Sequence, residues 1–242
     1  MLYYVFVVAF FWAVATAQNI PANSFANFDT YWNYLYPWGS DHNGGARMDA
    51  AHVSVEDGVL VLTAEPVTGQ SPAQHGGSEI PINYFSGAIH AKEQFTVKAG
   101  GGYDFSADFI APVEVGTWPA FWLTGVNSWP PEIDIAEWKG SGDISFNTFN
   151  TSSEVDALDV DYPSPSEWHS VKAEIRAVNG QDLKTDFYLD GEWVTSQYGA
   201  NFINAPFWFI INYQMEGSSG EPGPEDNSTF SVGNTRVVDY NP

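Results

Sequence analysis

The sequence has 242 residues, of which 44% are hydrophobic and 16% aromatic. That is a globular composition, sufficient for one large core and incompatible with a disordered or collagen-like chain. Eight Lys and Arg stand against 30 Asp and Glu, a formal net charge of −22, so phosphate backbones and anionic lipid surfaces are repelled and nucleic acid is excluded as a partner. Cysteine is absent, which removes disulfides, thiol nucleophiles and thiolate metal sites and leaves burial to stabilise the fold.

Residues 1–17 carry no charged side chain and end in Ala15-Thr16-Ala17, the small-x-small form of a signal-peptidase site. The run is shorter than the roughly 20 apolar residues that span a bilayer and lacks a basic stop-transfer flank, although its start also lacks the usual Lys or Arg. The expectation is a removed leader and a secreted, extracellular chain over 18–242 with no membrane attachment. Beyond it, short runs rich in Val, Ile, Phe and Tyr recur, such as Val59-Leu60-Val61-Leu62-Thr63 and Thr185-Asp186-Phe187-Tyr188-Leu189 before the Asp190-Gly191 turn. Three Gly/Pro-rich polar stretches, 67–80, 151–166 and 217–229, read as surface loops. Many strands, close-spaced turns and no amphipathic helix predict a single-domain antiparallel β-sandwich. The sequons at Asn150 and Asn227 fall in or beside predicted loops and suit a secreted glycoprotein.

The chemistry concentrates in Trp129-Pro130-Pro131-Glu132-Ile133-Asp134-Ile135-Ala136-Glu137-Trp138. Alternation puts Glu132 and Asp134 on one face of a strand and Ile133 and Ile135 on the other, toward the core. Glu137 is one residue out of phase, and a β-bulge near Ile135-Ala136 restores it to the carboxylate face. Glu132 and Glu137 are then about four steps apart, roughly 13 Å at about 3.3 Å per residue. Leaning side chains can reduce that to the roughly 5–5.5 Å between carboxyls in retaining glycosidases. Asp134 between them separates their proton affinities, so that one is ionised and the other protonated. A solvated acidic edge strand and a calcium site are the competing readings. The flanking Ile and Trp residues argue against the first and the scarcity of nearby oxygen ligands against the second.

Glu132-Ile133-Asp134-Ile135-Ala136-Glu137 resembles the E-x-D-x-x-E signature of glycoside hydrolase family 16 in its laminarinase-type form. Gly116 to Leu123, Ser86 to Ile89, Phe187 to Gly191 and the terminal Val238-Asp239-Tyr240 fit the same family in order. The resemblance implies a concanavalin A-like jelly roll of two curved antiparallel sheets with a concave cleft. It implies Glu132 as nucleophile, Glu137 as acid/base and Asp134 as the residue assisting between them. The implied activity is retaining endo-hydrolysis of internal β-1,3 or mixed β-1,3-1,4 glucan linkages, with endo-β-1,3-galactanase as the alternative. A transglycosylase and a non-catalytic lectin are the more distant alternatives. The intact carboxylate trio argues against a lectin, and the longer signature favours hydrolysis over transfer.

Trp118 and Trp122 share a face by period two, and with Trp129 they are candidate platforms for sugar rings. Core packing is the competing reading for each. By family position Asn43 and Gln214 are candidate hydroxyl-binding amides, though Asn43 reads equally well as a turn former. Ala88 stands where laminarinases often carry a basic residue, and 144–149 lacks a histidine common in relatives. These two departures leave the substrate open. The five histidines show no zinc spacing and read as surface or turn residues. The resemblance also implies that no cofactor is required. It implies as well a structural calcium on Asp239 and the backbone near Gly58, with no ion as the alternative. The expected partner is a neutral β-linked polysaccharide, the default state a monomer, and the expected pH optimum below neutral.

Overall fold

The computed structural model describes residues 16–241, so all but the last two residues of the expected leader lie outside the described residues. Two large sheets face each other. One runs in the order Glu154–Asp161, Asp143–Thr151, Glu132–Glu137, Thr117–Gly125, Pro206–Met215, Ala88–Ala91 and Trp32–Tyr34, with Phe95–Thr96 also on Pro206–Met215. The other runs Glu192–Gly199, Leu183–Leu189, His169–Ala177, Gly102–Ile110, Ser228–Tyr240, Val59–Pro66, Tyr84–Ser86 and Ala46–Met48. Thr16–Ile20 pairs with the end of Ser228–Tyr240, and Val53–Glu56 with Val59–Pro66. Described pairings are antiparallel except Ala46–Met48 against Tyr84–Ser86, a short parallel contact at the edge of the second sheet.

Residue alternation explains the layers. Leu183, Thr185 and Phe187 are buried while Lys184, Asp186 and Tyr188 stay partly exposed, the pattern of a strand covered on one face. Thr117–Gly125 departs from it, being buried at every position but Gly125. Phe121 and Leu123 enter the core from this strand, whereas Trp118, Ala120 and Trp122 lie on the opposite face under the walls of a cleft.

Aromatic rings fill the space between the sheets. Phe209 sits 4.8 Å from Phe121, 5.1 Å from Phe105 and 5.6 Å from Trp32, mostly edge-on, and Phe109 stacks on Phe230 at 5.7 Å. Edge-to-face contact aligns positive ring edges with negative ring faces and adds to the burial of area.

Two expected loops contain strands. Within 67–80 a separate hairpin pairs Ala73–His75 with Ser78–Ile80. Within 151–166 the strand Glu154–Asp161 forms the edge of the first sheet. Its acidic composition and almost complete exposure hide the apolar alternation by which a strand is recognised, and its charges keep the edge from pairing further. Segment 217–229 is irregular apart from a short turn at Gly217–Ser219 until the final strand begins at Ser228.

Phe209→Ala leaves a cavity among four rings. It is expected to destabilise the protein by about 3–5 kcal/mol in urea or thermal unfolding.

Candidate active site

The strand Glu132–Glu137 carries the expected bulge. Against Thr117–Gly125, Phe121 faces Ala136 and Trp122 faces Asp134, so Ile135 is the extra residue. Against Asp143–Thr151, Asp134 faces Asn147 and Glu137 faces Ser145. The irregularity brings Glu132, Asp134 and Glu137 to the same cleft, while Ile133, Ile135 and Ala136 are buried in the core on the other side.

The cleft encloses about 920 Å³, the size of a site for an extended ligand. Each carboxyl is met by donors from a neighbouring element. Trp129 Nε1 donates to Glu132 Oε2 at 2.9 Å, and Trp118 Nε1 donates to Glu137 Oε1 at 2.6 Å. Asn147 Nδ2 donates to Asp134 Oδ2 at 3.1 Å and to Glu137 Oε2 at 2.9 Å. Lys139 Nζ lies 3.0 Å from Glu137 Oε2. Asn147 thus occupies the strand where the sequence lacks a histidine and ties two of the acids together.

Burial governs the proton affinities. It pushes Glu132 up to about 8, with the negative charge of Glu137 adding to the rise and the bonds from Trp129 and Thr124 opposing it. Asp134 is driven well above the usual carboxylate range by burial and then by the charges of Glu132 and Glu137. Desolvation disfavours a charged carboxylate, and neighbouring like charges disfavour it further, so the row retains protons at pH values where free acids lose them.

Trp122 Nε1 donates to Asn212 Oδ1 at 2.7 Å, leaving its ring face at the cleft. Trp129 is 52% exposed at the rim. Trp118, a candidate sugar platform, instead bonds Glu137 directly. Gln214 lines the cleft, but its Oε1 accepts from the Ala46 and Met215 backbones, so only its NH2 group is left for a ligand. Asn43 also lines the cleft, on a loop laid closely over Gln214. A Cβ on Gly44 would come within 2.6 Å of the Gln214 side chain, which is why the run Asn43-Gly44-Gly45 is glycine-rich. Arg47 braces the loop by donating from Nε and Nη2 to Asp41 at 2.7 and 2.8 Å, holding that carboxyl below its ordinary range.

Several wall residues escaped the sequence reading. His42 stacks on Trp122 at 6.0 Å and meets His75 edge-on at 5.3 Å. Burial and then the His75 charge lower its proton affinity to about 4, so it is neutral at physiological pH. Tyr36, Trp38 and Asn212 complete this wall. The histidines are therefore not simple surface residues. His42 and His75 line the cleft, and His90 and His169 are each 8% exposed, bonded to Leu35 O and to Asp190 respectively. Only contacts across the chain reveal them, because no local pattern marks a polar side chain as part of a wall.

The remaining candidates lie elsewhere. Asp239 pairs with Tyr103 and Ala17, while Gly58 is at the turn before Val59 and the ladder pairs Leu60 with Val232. Asn150 is on a strand, not in a loop, where its amide donates to Tyr198 O at 3.0 Å and accepts from Ala200 N at 2.7 Å. Asn227 is exposed just before the final strand.

No family profile matches the chain. The chain is 51% identical over 227 residues, covering 93% of its length and 91% of the relative's, to a galactan endo-β-1,3-galactanase of Flammulina velutipes. Among solved structures, an endo-1,3-β-glucanase from Streptomyces sioyaensis superposes with TM-score 0.69 at 20% identity over 97% of this chain and 100% of that one. A non-specific endo-β-1,3(4)-glucanase of glycoside hydrolase family 16 superposes with TM-score 0.69 at 20% identity over 94% and 93%. These two likenesses establish the jelly-roll fold.

Asn147→Ala withdraws the donor shared by two buried acids. Urea unfolding at neutral pH is expected to show a loss of about 1.5–3 kcal/mol, the worth of hydrogen bonds to charged groups.

Proposed function

The chain belongs to glycoside hydrolase family 16, and from that premise we propose that it is a secreted, retaining endo-β-1,3-galactanase. The observation that carries the chemistry is the bulge that brings Glu132 and Glu137 to one cleft on either side of Asp134. The preference for galactan over glucan reverses the order expected from sequence. It is supported by the identity of 51% to a protein named for galactan hydrolysis, far above the 20% shared with the glucanases.

In the first step Glu132, steadied through Oε2 by the Trp129 indole, attacks the anomeric carbon. The glycosidic C–O bond breaks, and the leaving oxygen takes a proton from Glu137. In the second step water enters on the side vacated by the leaving sugar and gives a proton to Glu137. Its oxygen bonds to the anomeric carbon, and the Glu132 ester is released with net retention. Asp134, whose proton affinity burial and then the neighbouring carboxylates raise, lies between the glutamates. Trp122 and Trp129 offer ring faces to the apolar C–H faces of the sugars, and the neutral His42 and the Gln214 NH2 offer hydrogen bonds to hydroxyls. The leader and the sequons at Asn150 and Asn227 support extracellular action as a glycoprotein.

A polysaccharide panel tests the substrate. Debranched β-1,3-galactan is expected to be cleaved to oligosaccharides with kcat/KM at least about tenfold above laminarin or lichenan, the discrimination that one well-placed hydrogen bond supports. NMR of the first product should show the β-anomer. Laminarin as the better substrate, elongated chains as the main product, or an initial α-anomer would each overturn the corresponding part of the reading.

The pH profile follows from the pair. The active form holds one proton between nucleophile and acid/base, and burial keeps a proton on Glu132 up to about 8. The kcat/KM should therefore fall as pH rises through about 8.

A further inference from the structure

We propose that Lys139 is a positioning residue for the acid/base: its ammonium holds the Glu137 carboxyl in place and, by its charge, sets the alkaline limit of activity. The inference rests on Glu137 being the acid/base.

The geometry starts from the backbone. Glu137 is the last residue of its strand, yet Trp138 N donates to Pro119 O at 3.1 Å and extends the ladder by one rung. Trp138 is fully buried against Phe109, Tyr162 and Phe230. With Trp138 fixed inward, alternation returns Lys139 to the face of Glu137, and Gly140 turns the chain away at φ +68. The ammonium is therefore delivered to the acid by a rigid element.

Among the described residues Lys139 is the one Lys or Arg lining the cleft, against Asp41, Glu132, Asp134 and Glu137. Its Nζ shares Glu137 Oε2 with Asn147, while Trp118 holds Oε1. Three donors on one carboxylate favour the ionised form, and protonation must weaken at least one of them. The other ionisable groups facing Glu137 are Asp134 and Glu132 on its own strand and Asp159 on the edge strand, which accepts from Ser145 Oγ at 2.5 Å. Asn212 and Gln214, from the strand beyond Thr117–Gly125, are neutral. Every one of these acids is neutral or negative, so Lys139 supplies the one positive charge beside Glu137. Burial works against its ammonium, but Glu137, Asp134 and Asp159 together raise its proton affinity above the ordinary value.

A cation placed this way keeps the Glu137 carboxyl aimed into the cleft for both proposed steps.

The test compares pH profiles of kcat/KM on β-1,3-galactan for wild type, K139M, K139R and E137Q. An opposite charge at this range lowers a carboxyl by at least about one pH unit. K139M should therefore move the alkaline limb up by about one unit and raise activity above that limb by up to about tenfold relative to its own optimum, while K139R keeps the wild-type profile. If K139M does not fold, K139Q removes the same charge and is read in the same way. A loss of kcat in K139M with an unmoved limb makes Lys139 merely structural and overturns the proposal. Full activity of E137Q would instead overturn the assignment of the acid/base, so the two failures are distinct.

Discussion

Three carboxyls withdrawn from water on the cleft face of one strand impose the main constraint on this structure. Like charges at that spacing repel, and burial disfavours each ion further. The surrounding fold answers with donors from four places. Trp118 and Asn147 project from the strands on either side, Trp129 from the segment before and Lys139 from the residue after. Each compensating group also aims the carboxyl it meets, so the interactions that make the row tolerable also orient it for reaction.

The bulge at Ile135 makes this arrangement compatible with a packed core. Without it Glu137 would fall on the face of Ile133 and enter the space between the sheets. With it, the strand continues inward through Trp138 and outward through Lys139. The aromatic cluster around Phe209 and Phe109 then anchors the catalytic strand and its neighbours from below. Rigid placement of reacting groups is what an extended element supplies and a loop does not. In a chain without cysteine, packed rings supply that rigidity.

Much of this was readable along the chain because it depends on local period. Glu132, Asp134 and Glu137, the need for a bulge, the core direction of Ile133 and Ile135, and the shared face of Trp118 and Trp122 all follow from alternation over a few residues. The long-range contributions were not readable. Asn147 donates from a strand whose sequence is unremarkable, and His42 becomes a neutral wall residue only because Trp122 and His75 close over it. The strand Glu154–Asp161 exists through pairing with Asp143–Thr151 and has no buried face to mark it.

By itself, then, the sequence determined the class of fold, the row of three acids on one strand and the aromatic and amide character of the cleft, because these are properties of side-chain type and spacing within single strands. Only the tertiary structure decided which donors hold each acid, which way burial moves the proton affinities of Glu132 and Asp134, and that a lysine stands beside Glu137. Those properties arise from desolvation and from charges brought within hydrogen-bond range by strands distant in the chain, and both effects depend on separations of a few ångströms that no local pattern specifies.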